Sequence, residues 1–150
     1  PLIFTKEFSI NNSSEQAGVR VVKYAPDPLT KKTGAAGNDY HFYRLADTYL
    51  MRSEAKLRSG DTQGALKDIN DLRAKRGQKA YTELNLTKIY NERGYELYWE
   101  NSRRNDMVRF GTYTAPRDNK EKVTPDYKIL LPIPISAIEA NDDLTQNTGY

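Results

Sequence analysis

Apolar residues recur at three- and four-residue steps through the stretch FYRLADTYLMRSEAKLRSG. This spacing places them on one face of an α-helix. The positions that form the face are Phe42, Leu45, Ala46, Tyr49, Leu50, Ser53 and Leu57. Gly60 follows, and glycine is the residue that most often ends a helix in the left-handed conformation. The pattern predicts a helix that begins near Phe42 and ends before Gly60.

A second helix is predicted directly after the first. Asp61 is a favoured N-cap residue, because its carboxylate can accept a hydrogen bond from the first turn. The buried side of this helix comprises Ala65, Leu66, Ile69 and Leu72. Gly77 is expected to end it. The short loop makes the two helices an antiparallel hairpin, and the placement of its small residues and glycine is typical of one tetratricopeptide-like repeat.

The predicted hairpin needs a neighbour, because a single repeat of this kind cannot bury its own apolar face. A third helix, from about Leu86 to Asn101, is the nearest candidate in the sequence. We expect it to pack on the hairpin through Ile89, Tyr90 and Leu97, with Trp99 as a packing anchor.

Residues 1–41 lack helical periodicity. In the segment Gly18–Tyr24, Val19 and Val21 alternate with Arg20 and Val22, which predicts a short strand. The stretch APDPLTKKTGAAGNDY that follows is rich in proline and glycine, so a surface loop is expected there.

The C-terminal part is also irregular. Pro132 and Pro134 must keep KILLPIPIS extended, since proline breaks both helices and central strands. Ser136 and Glu139 have the spacing of a capping box, which predicts a short helix that ends near Asn141. The chain is therefore expected to be one mainly α-helical domain with an irregular segment over residues 1–41, a helical scaffold over residues 42–111 and an irregular tail over residues 112–150.

Composition narrows the functional classes. The 150 residues are 29% charged and 37% hydrophobic, with a formal net charge of +3, as in an ordinary globular domain. Acids and bases are interleaved, whereas a nucleic-acid-binding protein usually carries a basic stripe. There is no cysteine, so disulfides and thiolate metal sites are excluded. The first residues lack the features of a signal peptide, as expected if the chain is a fragment cut from a longer, exported protein.

Charged residues crowd the third helix and the residues after it: Glu92, Arg93, Glu96, Glu100, Arg103, Asp106 and Arg109. A glycosidase needs two carboxyl groups on opposite sides of the scissile bond. Glu96 and Glu100 lie one turn apart on one helix and would point the same way. The pairs Arg93–Glu96 and Arg103–Asp106 are three residues apart, which suits salt bridges within a helix. A structural ion network is therefore favoured over catalysis.

Other chemistry finds little support in the sequence. His41 is the only histidine, so a zinc site or a serine–histidine–aspartate triad is poorly supported. Asp142 and Asp143 lack the pattern of a calcium-binding loop and are expected in a turn. There is no glycine-rich phosphate loop. We expect neither a metal nor a cofactor.

The eleven tyrosines point to a possible sugar-binding role. Aromatic rings stack on the apolar faces of sugars, while a tyrosine hydroxyl can bond to sugar hydroxyls. Most of the tyrosines in the helical part are expected to contact other helices. The loop residues Tyr24 and Tyr40 are the better candidates for ligand binding.

Three blocks of the sequence together resemble the C-terminal part of the SusD/RagB family: FYRLADTYLMRSEA, NERGYELYWENSRRNDMVRFG and LLPIPISAIEANDDLTQNTGY. They occur in the family's order and spacing. The family's long-helix signature is met here by Glu92, Arg93, Glu96, Leu97, Glu100, Arg103, Asp106 and Arg109. Its tail motif is met by Leu131, Pro132, Ile133, Pro134, Asn141, Leu144, Gln146, Asn147, Gly149 and Tyr150. Asn101 stands where the family usually has glycine, Met107 where it has leucine, and Asp142 and Thr148 where prolines are common.

The resemblance implies a mostly helical, SusD-like fold in a cell-surface lipoprotein of a Gram-negative outer membrane. Such proteins bind glycans, are not enzymes, and deliver oligosaccharides or polysaccharides to a TonB-dependent, SusC-like transporter. Membrane attachment would come only through a lipid anchor in an absent N-terminal portion. No ligand-binding residue can be carried over by motif, because the family's sugar contacts lie in variable loops. The charged signature maps onto the family's scaffold.

Three alternatives remain open from the sequence. Some members of the family resemble proteins that capture peptides for the same kind of import. The helical hairpin could instead serve as a protein-interaction module. A glycoside hydrolase using Glu96 and Glu100 is the third.

Overall fold

The structure is a computed structural model that describes residues 1–9, 11, 14–24, 27 and 37–150. Its contacts divide the chain into two units, Pro1–His41 and Phe42–Tyr150. The described residues contain five α-helices and one short 3-10 helix, all in the second unit: α1 Leu45–Arg58, α2 Thr62–Lys75, α3 Leu86–Glu96, α4 Arg103–Arg109, the 3-10 helix Asp126–Ile129, and α5 Ile135–Ala140. The mainly α-helical prediction is confirmed.

Helices α1 and α2 form the expected hairpin. Asp61 caps α2, because its carboxylate accepts a hydrogen bond of 2.8 Å from the backbone N–H of Gly64. Gly60 has a φ of +92°, a conformation that glycine adopts without steric cost. The buried hydroxyl of Ser53 donates to the carbonyl oxygen of Ala65 across the hairpin at 2.8 Å. This bond fixes the close approach of the two helices.

Helix α3 packs on the hairpin and completes a small core. Leu50 from α1, Ile69 from α2 and Ile89 from α3 are fully buried together. Leu97, directly after α3, extends this cluster. Its outer layer comprises Leu57, Leu66, Tyr81, Leu84 and Phe110. The hairpin therefore has the neighbour that its apolar face requires.

Helix α3 ends at Glu96, so the prediction that it continues to Asn101 is wrong. Arg44 donates a hydrogen bond of 2.9 Å to the carbonyl oxygen of Glu96. In a continuous helix that oxygen would accept from the N–H of Glu100, which bonds instead to the carbonyl of Leu97 at 3.1 Å. A side chain from outside the helix therefore takes the place of its next backbone hydrogen bond.

The predicted strand at Gly18–Tyr24 is not formed, and the described residues contain no strand. Val19 and Val22 are both mostly exposed, at 72% and 77%. Without a buried face, the alternation of side chains has nothing to specify a sheet register. The loop predicted after this segment lies largely outside the described residues.

Helix α5 forms where expected, but its capping box does not. Pro134 is the N-cap residue, and no side chain caps the helix. Ser136 lies within the first turn. Proline is favoured at the start of a helix because its φ is already suitable, so the start of α5 is set two residues before the predicted serine cap.

The C-terminal tail is fastened to the proline-rich segment by side-chain amides. The Gln146 amide accepts from the backbone N–H of Ile133 and donates to its carbonyl oxygen, both at 2.9 Å. Asn147 donates to the carbonyl of Leu131 at 2.8 Å, and the Tyr150 hydroxyl donates to that of Leu130 at 2.9 Å. These bonds satisfy backbone groups that prolines leave without a helix or sheet partner.

Candidate functional site

The charged signature residues join helices to one another. Arg44, just before α1, binds both oxygens of Glu100 at 3.0 and 2.9 Å and Glu96 Oε1 at 2.9 Å. Arg76, after α2, binds both oxygens of Glu96 at 2.9 and 2.8 Å. The Arg76 hydrogen bond, together with Arg44, lowers the pKa of the Glu96 carboxyl despite its burial. Glu96 is therefore held in its ionised form.

A second cluster lies deeper between α1, α3 and α4. Arg93 binds Asp106 Oδ1 at 2.7 Å and Asp47 Oδ1 at 2.8 Å. Arg109 binds the same Asp106 oxygen at 2.8 Å and also pairs with Glu54. Burial favours the neutral form of Glu54, but hydrogen bonds from Arg109 and Arg58 hold the pKa of the Glu54 carboxyl below its usual range. The second cluster is thus a chain of charge-assisted hydrogen bonds in a protected environment.

The predicted pairings within the helix are wrong, although three of the four residues, Arg93, Glu96 and Asp106, form ion pairs with other partners. Arg93 reaches Asp106 and Asp47 rather than Glu96. Arg103 donates to the carbonyl oxygen of Tyr90 at 3.0 Å, and its guanidinium lies 3.7 Å from the centre of the Tyr90 ring. In both cases a partner on another helix takes the place of the residue one turn away on the same helix.

Glu92, the remaining signature carboxylate, is also held in place. It pairs with Arg73 and accepts a hydrogen bond of 3.0 Å from the Tyr81 hydroxyl. A general acid needs a carboxyl group whose pKa is raised toward neutrality. Glu96 has the opposite shift, and both Glu96 and Glu100 are engaged by Arg44. These contacts are unsuited to the glycosidase alternative.

The turn between α3 and α4 carries an exposed cluster of aromatic side chains. Trp99 is 67% exposed, so its predicted role as a packing anchor is wrong. Tyr98 and Trp99 form a corner, with ring centroids 6.4 Å apart and planes inclined by 72°. They border a concavity of about 620 Å³. We call this concavity the α3–α4 pocket; its lining includes Asn91, Gly94, Tyr95, Tyr98, Trp99 and Asn101.

The backbone of this turn is unusual. Trp99 has a φ of +63° and Asn101 a φ of +58°. Asparagine tolerates this left-handed region better than most residues, whereas a bulky side chain such as tryptophan rarely adopts it. The sequence did hold one signal of the turn, because Asn101 occupies the position where the family resemblance expects glycine.

Tyr24 and Tyr40, the ligand-binding candidates from the sequence, both lie in the first unit. They are 38% and 49% exposed. The Tyr24 ring lies 6.0 Å from the His41 ring, centroid to centroid. Their exposure is compatible with ligand contact, and their role stays a prediction.

The described part of the chain offers little else for chemistry. Within it, no group of three or more histidine, cysteine, aspartate or glutamate side chains could hold a metal ion. The N–H of Asp143 bonds to the Asn141 side chain at 3.0 Å, as in a turn. Among the described helices, none combines the length and the apolar character needed to cross a membrane.

Comparison with known proteins was made on both sequence and structure. The sequence model of the SusD family matches residues 5–150. The starch-binding protein SusD of Bacteroides thetaiotaomicron is 37% identical over 126 residues, covering 75% of this chain and 22% of the relative. A laminarin-binding SusD-like protein of known structure superposes with a TM-score of 0.62 at 34% identity, covering 72% of this chain and 22% of that one.

A SusD superfamily protein from Parabacteroides distasonis has a TM-score of 0.67 at 28% identity, covering 79% of this chain and 29% of that one. The chain therefore spans about a quarter of the length of the relatives it matches.

Proposed function

Because the chain belongs to the SusD family, whose sequence model matches residues 5–150, we propose that it serves in capturing oligosaccharides or polysaccharides. The family match carries this proposal. One relative is named for binding starch and another for binding laminarin, and both are glycans. The arginine-bound carboxylates add support, since they favour binding without catalysis.

The proposed mechanism is recognition by stacking and hydrogen bonding. Exposed aromatic rings pack on the apolar faces of sugar rings, and their polar edges bond to hydroxyl groups. Tyr24 and Tyr40 are proposed as two such contacts. The ion network of α1, α3 and α4 would serve as a rigid support and would not touch the sugar.

The wider role follows from the family resemblance. We place the protein at the cell surface, at the outer membrane of a Gram-negative bacterium, as a lipoprotein. There it would deliver the captured glycan to a TonB-dependent, SusC-like transporter for uptake.

Calorimetric titration with a panel of ligands tests the proposal. The panel holds maltooligosaccharides, laminarin oligosaccharides and extended peptides, and the starch-binding relative from Bacteroides thetaiotaomicron serves as a positive control for the first. We expect at least one glycan to bind this chain, and Tyr24→Ala and Tyr40→Ala to weaken that binding. If the positive control binds while the chain binds no glycan, glycan capture by these residues is refuted.

Binding of peptides alone would favour the peptide-capture alternative. One observation supports a protein-docking role as a second candidate: a groove of about 570 Å³ between α1 and α2, lined in part by Leu45, Tyr49 and Leu72. Leu45 is 71% exposed there. If peptides bind and Leu45→Glu abolishes binding, the hairpin groove is the peptide site.

A further inference from the structure

We propose that the α3–α4 pocket is a carbohydrate-contact site that takes a hexopyranose ring of a neutral oligosaccharide, stacked on Trp99. The proposal rests on the proposed function, since it assigns a specific site to glycan capture. It is independent of Tyr24 and Tyr40, which lie in the other unit.

The first support is the arrangement of the rings. Tyr95, Tyr98 and Trp99 are exposed by 73%, 57% and 67% respectively, in the walls of a single concavity. The Tyr98 and Trp99 planes are inclined by 72°. A sugar ring stacked flat on Trp99 would therefore meet Tyr98 at its edge. A flat apolar face beside a hydroxyl-bearing ring is what a pyranose, with its apolar faces and polar rim, requires.

The second support is the strained presentation of Trp99. A tryptophan with φ near +60° is disfavoured by roughly 1–3 kcal/mol, and such residues cluster at ligand-binding sites. The surroundings explain how the strain is maintained. Arg44 removes the Glu96 carbonyl from the helix ladder and holds Glu100 on the far side of the turn. Arg44 thus binds residues on both sides of Trp99 in the sequence.

The third support is the floor and rim of the pocket. Gly94 lines it, and a Cβ at that position would lie 3.0 Å from Arg103 Nη1, so glycine lets the Arg103 guanidinium pack closely against the backbone at the pocket floor. Asn91, Asn101 and Ser102 supply amide and hydroxyl groups around the rings. These groups can donate to and accept from sugar hydroxyls.

The charge of the pocket favours a neutral sugar. Arg93, which also lines it, is buried and bound to two aspartates. The Arg103 guanidinium is stacked on the Tyr90 ring and bonded to a backbone carbonyl. Because Arg93 is bound to carboxylates and Arg103 is packed on a ring, the neutral side chains of the pocket would make the contacts to the sugar.

Trp99 is the only tryptophan, so intrinsic fluorescence reports directly on this site. We would titrate the chain with maltohexaose and with laminarihexaose while recording Trp99 emission and its quenching by acrylamide. We expect a blue shift and protection from quenching with the sugar that binds in calorimetry. Trp99→Ala should weaken the calorimetric affinity about tenfold or more, while Trp99→Phe, which keeps a ring, should lose less.

Tyr43→Ala is the matched control, because Tyr43 is an exposed aromatic residue that does not line the pocket. It should leave affinity unchanged, and circular dichroism should show every variant folded. If a sugar binds in calorimetry without any response of Trp99, and Trp99→Ala keeps the affinity, the pocket proposal fails while the proposed function stands. If no glycan binds at all, both fail. A Trp99 signal that follows protein concentration instead of sugar, with a dimer in light scattering, would assign the rings to self-association and overturn the pocket proposal.

Discussion

Replacing Arg93 with methionine removes the central cation of the buried network while keeping a side chain of similar length. The Arg93 side chain is 6% exposed and binds Asp106, which is 2% exposed, and Asp47. The second oxygen of Asp106, Oδ2, is buried with no hydrogen-bond partner among the described residues. Within the described part of the chain, Arg109 would then be the remaining ion-pair partner of Asp106.

The size of the effect follows from this geometry. Removing one partner of a buried ion pair usually costs about 3–5 kcal/mol, because an uncompensated charge is left behind. Since Arg109 keeps its bond to Asp106, we expect the lower end, a loss of about 3 kcal/mol in the free energy of unfolding. That is a large fraction of the roughly 5–15 kcal/mol that stabilises a typical domain.

Urea denaturation followed by far-UV circular dichroism, with Trp99 fluorescence as a second probe, measures the loss. With a urea dependence of about 1–3 kcal/mol per molar, the midpoint should fall by at least about 1 M. Lys67→Met is the control. Lys67 pairs with Asp71 at 2.6 Å, as short as the buried contacts, but the two side chains are 72% and 44% exposed. It should shift the midpoint by no measurable amount.

The double variant Arg93→Met, Asp106→Leu separates charge from packing. It should recover part of the loss, because it also removes the stranded carboxylate. A midpoint for Arg93→Met that equals that of Lys67→Met would refute the reasoning, since burial would then not govern the energy of these pairs.

Three further predictions concern other parts of the second unit. Gly149→Ala should release the C-terminal tail, seen as faster hydrogen exchange there with unchanged helices, because Gly149 has a φ of +101° and an added Cβ would lie 2.5 Å from the Tyr127 ring. Ser53→Ala removes a buried hydrogen bond between α1 and α2 and should cost about 0.5–1.5 kcal/mol in urea denaturation, whereas Ser59→Ala, which loses an exposed bond, should cost much less. The pKa of Glu96 is lowered on folding, so its stabilising contribution is complete above the unfolded pKa of about 4.3 and is lost as the pH falls through the lower folded value. Glu96→Gln should flatten the acid side of the stability profile, and an unchanged profile would contradict this.

The parts of the fold that sequence reasoning predicted are those set by local patterns. The spacing of apolar residues located α1 and α2, and Asp61 and Gly60 marked the connection between them. These signals act over one or two helical turns, so they can be recognised in the sequence without knowledge of the tertiary structure.

The misses have a common physical cause. Whether α3 stops at Glu96 depends on Arg44, a residue 52 positions earlier that no periodicity links to it. The partners of Arg93 were wrong for the same reason, because tertiary packing outweighed salt bridges within the helix. The predicted helix included Trp99, and a continuous helix does not form the turn that brings the Tyr98 and Trp99 rings into a corner. Of these features, the sequence indicated the positive φ of Asn101, because this residue stands where the family usually has glycine.

The reach of these ion pairs along the chain also bears on the order of folding events. The α1–α2 hairpin joins neighbouring segments, whereas Arg44 binds residues 52 and 56 positions away and Arg93 binds Asp47, 46 positions away. Contacts that close long loops form late, because the chain loses conformational entropy on closing the loop before the contact can stabilise the fold. We expect the hairpin to be in place when the transition state is crossed, with the arginine bonds closing afterwards. Bonds made after the barrier slow unfolding and leave the folding rate nearly unchanged, so the network determines how long this scaffold persists once it has formed.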